Sequence, residues 1–167
     1  VEATLSGKIG AIGTERTIAS GAYHQALKSI DAEVQVFAKE TPLLVGLAEE
    51  GWFDGPVVEA ALRQYLTPWL QGAAEEIDTL VLGCTHYPAL KGAISQCVQA
   101  LLGREITLID SAEAIADDLA ERLPIAQVTA HPPREIELLA TDALERFERV
   151  GGLFFPTHTA QLRLVDL

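Results

Sequence analysis

The stretch DTLVLGCTHYPAL, residues 78–90, decides the fold. Thr79 to Leu82 form a short apolar run of the kind that makes a strand buried on both faces. Gly83 ends it. Pro88 then suits the first turn of a helix, where its missing N–H costs no bond. The periodicity predicts that helix over Ala89 to Leu102, with Gly103 as its stop. A strand feeding a helix through GCTH is one βα unit, and the same rhythm recurs on either side.

Upstream, Lys8 to Gly13 read as a buried strand, Thr14 to Thr17 as a turn and Ile18 to Ile30 as a helix. Glu33 to Ala38 suit a second strand. Pro42 to Glu50 suit a helix stopped by Gly51. A longer helix is expected after Asp54-Gly55, with Pro56 in its first turn and a break or kink at Thr67-Pro68. Downstream, Ile106 to Ile109 give a fourth strand, Ser111 an N-cap and Glu113 to Leu123 a helix. Pro132-Pro133 is a break. Ile136 to Ala140, Asp142 to Val150 and Leu162 to Val165 read as strand, helix and strand. Strands alternating with helices mean an α/β fold with a largely parallel sheet. Ligands in such folds sit beyond the carboxyl ends of the strands. Two loops fall there, Gly13 to Thr17 and Gly83 to His86.

The chain has 167 residues, 49% hydrophobic and 22% charged, which suits one globular domain of ordinary size. Its net charge of −12 argues against nucleic acid or an anionic membrane as partner. A small anionic substrate is compatible, because a few local donors can hold one carboxylate. No uninterrupted apolar run approaches the roughly 18 residues of a membrane span. The start, Val1 to Leu5, has no signal-peptide pattern. Two cysteines make no disulfide framework, so a reducing cytoplasm is the expected compartment.

Cys84 stands between a strand and a helix start, a place where free N–H groups favour a thiolate. Gly83 would leave room for a ligand. Thr85 offers a hydroxyl and an N–H to a carboxylate, and His86 could share a proton with the thiol or a substrate. Residue pattern alone equally fits a buried structural cysteine with a histidine closing the turn. Cys97, among Ile94, Val98 and Leu101 of a helix, reads as core. Thr14 and Thr17 belong to a hydroxyl-rich turn that could bind a substrate or simply cap the next helix; it has neither a Walker lysine nor GxGxxG. Glu49-Glu50 read as a solvated helix end, and Asp110-Ser111 as an N-cap. His24, His131 and His158 show no metal-ligand spacing.

Several segments together resemble the glutamate racemases of the aspartate/glutamate racemase superfamily. They are GKIGAIGTERTIASGAY (7–23), TPLLVGLAEEG (41–51), LTPWL (66–70), LVLGCTHYPAL (80–90) and ITLIDSAEAIA (106–116). GCTH followed by Tyr-Pro is the specific part, since aspartate racemases usually carry Glu where His86 stands. The resemblance implies a two-thiol interconversion of L- and D-glutamate, for peptidoglycan synthesis in the cytoplasm, with no cofactor and no metal. It implies catalytic roles for Cys84, usually the thiol on the L-glutamate side, for His86 assisting it, and for Glu49 near that histidine. Thr85, Thr14 and Thr17 match substrate-binding turns.

The family's first cysteine, in an Asn-Thr-Ala-Ser context, and its Asp-Ser-Gly-rich loop have no counterpart here. The expectation is therefore that residues 1–110 form the second lobe of a two-lobe racemase. Residues 111–167 would be the segment returning to a first lobe whose N-terminal part is missing. The exposed lobe face would invite self-association, and the chain alone would be inactive. Two alternatives are a racemase of another acidic amino acid and a non-catalytic module binding an acidic ligand or a partner. A cysteine hydrolase using Cys84 and His86 is a poorer fit, since two residues on one turn seldom make an oriented nucleophile–base pair.

Overall fold

The computed structural model of the chain describes residues 1–122, 137–154 and 161–166. Four strands, β1 (Lys8–Gly13), β2 (Gln35–Glu40), β3 (Thr79–Leu82) and β4 (Thr107–Asp110), form one sheet in the order β2-β1-β3-β4. All its pairings are parallel. The α/β reading of the sequence therefore holds. β1 is a central strand, buried from Ile9 to Gly13, which explains its uninterrupted apolar run.

The helices are α1 (Glu15–Ala19), α2 (Ala22–Ile30), α3 (Leu43–Glu49), α4 (Pro56–Leu70), α5 (Lys91–Leu102) and α6 (Ser111–Arg122). On one face of the sheet, α4 and α5 pack together and supply Leu62, Leu66, Trp69, Ile94 and Val98 to a core with Leu80 and Leu82. Gly10 faces this layer. A Cβ there would lie 2.7 Å from Ile77 and 3.0 Å from Trp69, so the glycine lets the helix layer sit close. The other face is covered more thinly by α1 and α2, neither of which has a buried residue.

Several boundaries differ from the sequence reading, each for a local reason. The expected helix from Ile18 to Ile30 is two helices, because Gly21 adopts φ +65 between them. Pro68 does not break α4, which continues to Leu70. Both Pro68 and Gln64, whose carbonyl loses its partner, are exposed, so water can replace the lost bond. Pro88 opens a 3₁₀ turn, Tyr87–Leu90, and the α-helix starts only at Lys91. Asp110, not Ser111, caps α6: its carboxylate accepts the Glu113 N–H at 2.9 Å.

Beyond α6 lie β5 (Glu137–Ala140), α7 (Leu144–Phe154) and β6 (Gln161–Leu164). β5 and β6 pair in parallel as a separate two-stranded sheet. Leu123, Pro132-Pro133, His131, His158 and Ile136 lie outside the described residues.

Candidate active site at the switch point of the sheet

The chain runs from β1 outward to β2 on one side, then returns to place β3 on the other side of β1. In parallel α/β sheets, ligands sit at such a reversal, beyond the carboxyl ends of the strands, here β1 and β3. The loops after those strands are the two that carry the chemistry-bearing residues.

The strand ends are tied together by backbone bonds. Gly83 N–H donates to the Ile12 carbonyl at 2.8 Å, and Thr41 N–H donates to the Gly13 carbonyl at 2.8 Å. The expectation that Gly83 leaves room for a ligand is not met. A Cβ at this position would lie 2.6 Å from the Tyr23 ring and 2.8 Å from the Ile12 carbonyl oxygen, so the glycine makes room for protein. Tyr87 then anchors the loop from beneath. Fully buried, its hydroxyl donates to the Thr41 carbonyl at 2.9 Å and lies 2.8 Å from Thr41 Oγ1. Burial pushes the Tyr87 hydroxyl up to about 12, so it stays a neutral hydrogen-bonding group.

On this anchored loop Cys84 is half-buried and faces His86, with Sγ 3.6 Å from Nδ1. The far side of the imidazole meets Glu49 at the end of α3, with Nε2 3.3 Å from Oε1. Thiol, imidazole and carboxylate therefore lie in line. If Glu49 accepts from Nε2–H, the Nδ1 lone pair faces the thiol and can take its proton. Phe154 of α7 stands edge-on to the imidazole, ring centroids 6.0 Å apart.

Charge at this site differs from the sequence expectation in one respect. Burial pushes the Cys84 thiol up, and the His86 backbone N–H only partly offsets it. The segment after Cys84 is a short 3₁₀ turn, so the loop lacks the long dipole that would stabilise a thiolate. A thiolate at this position therefore needs a neighbouring group to take its proton. Glu49 goes the other way: its bond from Arg146 holds the carboxyl below its usual range, against burial, with His86 adding to the effect.

Thr14 caps α1, its Oγ1 accepting from Thr17 N–H at 3.3 Å, with the two hydroxyls 2.9 Å apart. Capping and a site at the end of β1 are thus compatible roles. Thr85 is exposed and, with His86, lines a cavity of about 470 Å³ closed on the far side by Phe147, Val150 and Phe154 of α7.

Other candidates settle into structural places. Cys97 is buried in the core. Asp110 is buried against Lys91 Nζ at 2.8 Å and serves α6 as its cap. His24 is exposed. No cluster of three or more potential metal ligands exists among the described residues. No helix among the described residues is long and apolar enough to cross a membrane.

The sequence reading missed α7 as a wall of the site. Arg146 bonds Glu49 Oε2 at 2.5 Å, and Arg149 donates to the Glu49 carbonyl at 2.8 Å. The available signal was two arginines three apart on an amphipathic helix in a strongly acidic chain.

Residues 2–119 match the family model described as Asp/Glu/Hydantoin racemase. A glutamate racemase of Syntrophus aciditrophicus is 44% identical over 156 residues, covering 92% of this chain and 55% of the relative. The crystal structure of glutamate racemase isoform RacE1 from Bacillus anthracis superposes with a TM-score of 0.77 at 30% identity, over 99% of this chain and 60% of that one. Glutamate racemase from Francisella tularensis, solved in complex with D-glutamate, gives a TM-score of 0.74 at 29% identity, over 96% and 58%. The chain thus spans little more than half the length of these relatives.

Proposed function

Because the chain belongs to the Asp/Glu/hydantoin racemase family, we propose that its switch-point crevice is one side of a glutamate racemase site, with Cys84 as the acid–base group for one face of the substrate. The observation that carries this is the line Cys84–His86–Glu49, which joins the loop after β3 to the end of α3. Glutamate, not another acidic amino acid, is favoured by the names of the relatives and by His86 in the GCTH motif.

In this reading His86 Nδ1 draws the proton from Cys84, and the thiolate removes the α-proton of L-glutamate. Thr14, Thr17 and Thr85 supply hydroxyls to the substrate's carboxylates. Inversion requires a proton delivered to the opposite face. Cys97 cannot deliver it, being in the core on α5. The second thiol must come from outside the residues that Cys84 faces.

The same reading divides the chain at the end of β4. Residues 1–110 would be one lobe of a two-lobe enzyme, and residues 111–167 a segment belonging to the other. The separate sheet of β5 and β6 supports this division, as does the placement of α7 across the crevice from His86. D-Glutamate and L-glutamate are the proposed ligands, and the lobe face is the proposed surface for self-association.

The test is thiol protection. D-Glutamate should slow alkylation of Cys84 by iodoacetamide, and an equal concentration of L-aspartate should slow it less. Equal protection by both would favour a broader acidic amino-acid site. No protection by either, with Cys84 freely alkylated, would refute a glutamate site at this crevice.

A further inference from the structure

α7 reaches the site through charge. Arg146 and Arg149 lie three apart, on one face of the helix. Both point at the last residues of α3: Arg149 holds the Glu49 carbonyl at 2.8 Å and approaches Glu50 at 3.6 Å, while Arg146 holds the Glu49 carboxylate. A carboxylate at a helix C-terminus is opposed by the helix's own dipole. Glu49 is such a residue, and its side chain is only 19% exposed. It is therefore placed against local preference, as groups at functional sites often are. Arg146 is the cation that offsets this. It takes Oε2 and leaves Oε1 to His86.

Resting on the racemase-site reading above, we propose that Arg146 is a positioning residue. It fixes the Glu49 carboxylate so that His86 presents Nδ1 to Cys84, making α7 part of the proton path without touching substrate. Arg146 itself is largely exposed, its side chain 65% accessible, so its removal leaves the core intact. The charged and titratable groups around the path are few. Tyr23 of α2 and Tyr87 of the 3₁₀ turn face Cys84, and burial raises both hydroxyls. Arg146, Arg149, Glu50 and His86 surround Glu49.

Removing a cation from a set of linked groups makes them hold protons more tightly. The readout is the pH midpoint of Cys84 alkylation by iodoacetamide, measured on the full chain at about 0.15 M salt, where through-space effects on exposed charges are screened. Arg146→Gln should move the midpoint upward, and Arg146→Lys should restore it toward wild type. In a Glu49→Gln background the shift should largely vanish, because Arg146 acts through that carboxylate. Arg149→Gln, which loosens α7 without freeing the carboxylate, should shift the midpoint less than Arg146→Gln.

An unmoved midpoint in Arg146→Gln would overturn the proposal. So would a shift that persists in full without Glu49, or an equal shift from Arg149→Gln, since either means that α7 acts only as a prop. The measurement needs no substrate. Failure to exchange the α-proton of L-glutamate would count against the racemase reading alone.

Discussion

Cys84 and Cys97 carry the same thiol, and both are pushed up by burial. Their surroundings separate them. Cys84 has an imidazole at 3.6 Å and is half-buried at the edge of the core; Cys97 is buried within it. Iodoacetamide should therefore label Cys84 in the native protein and reach Cys97 only on unfolding, a difference that peptide mass mapping reads directly. Tyr87 gives a second test at this scale. Its hydroxyl and Thr41 satisfy each other in the interior. Tyr87→Phe should cost about 1–3 kcal/mol, because the Thr41 groups lose a buried partner. Urea unfolding checks it, and loss of protection of Cys84 by D-glutamate would show the loop shifting with it.

The elements around the crevice were readable in the sequence where one local preference dominated. β1 and β3 showed themselves as apolar runs ended by glycine, and the GCTH loop fell where such strands deliver their loops. Glu49 was not legible from pattern, because a glutamate pair before a glycine is an ordinary solvated helix end. Only the resemblance attached it to His86, and only the packing of α7 brought in Arg146. Contacts between elements nearly a hundred residues apart leave no periodicity behind.

Glycines on these elements make opposite predictions. Gly83→Ala should destabilise by about 1–3 kcal/mol, since its Cβ would meet the Ile12 carbonyl oxygen and the Tyr23 ring, and the backbone oxygen cannot move aside. Gly46→Ala, inside α3 with nothing within 4 Å, should stabilise by about 0.5–1 kcal/mol. Thermal denaturation of both variants separates the cases.

At the scale of the whole molecule, acid sensitivity follows from carboxylates tied into the fold. Asp78 joins the N-terminal segment to the start of β3. It accepts from Thr4 Oγ1 at 2.6 Å and from the backbone N–H groups of Leu5 and Ser6. Burial pushes its carboxyl up, but these bonds outweigh burial and hold it far below the usual range. Asp110 is likewise lowered: the Glu113 N–H and Lys91 outweigh its burial. A carboxyl whose pKa is lower folded than unfolded stabilises the fold fully above its unfolded value. That contribution is lost as pH falls through the folded value. Stability should therefore hold above about pH 4 and decline below it, and Asp78→Asn should flatten that decline in a series of urea melts.

The central claim is that this chain offers one base to one face of glutamate. The most direct measurement is α-proton exchange in deuterated water, followed by NMR, with L- and D-glutamate supplied separately to the 167-residue chain. The account predicts deuterium entering L-glutamate with retained configuration, abolished by Cys84→Ser, and no D-glutamate formed. Conversion of L- to D-glutamate by this chain alone would contradict it.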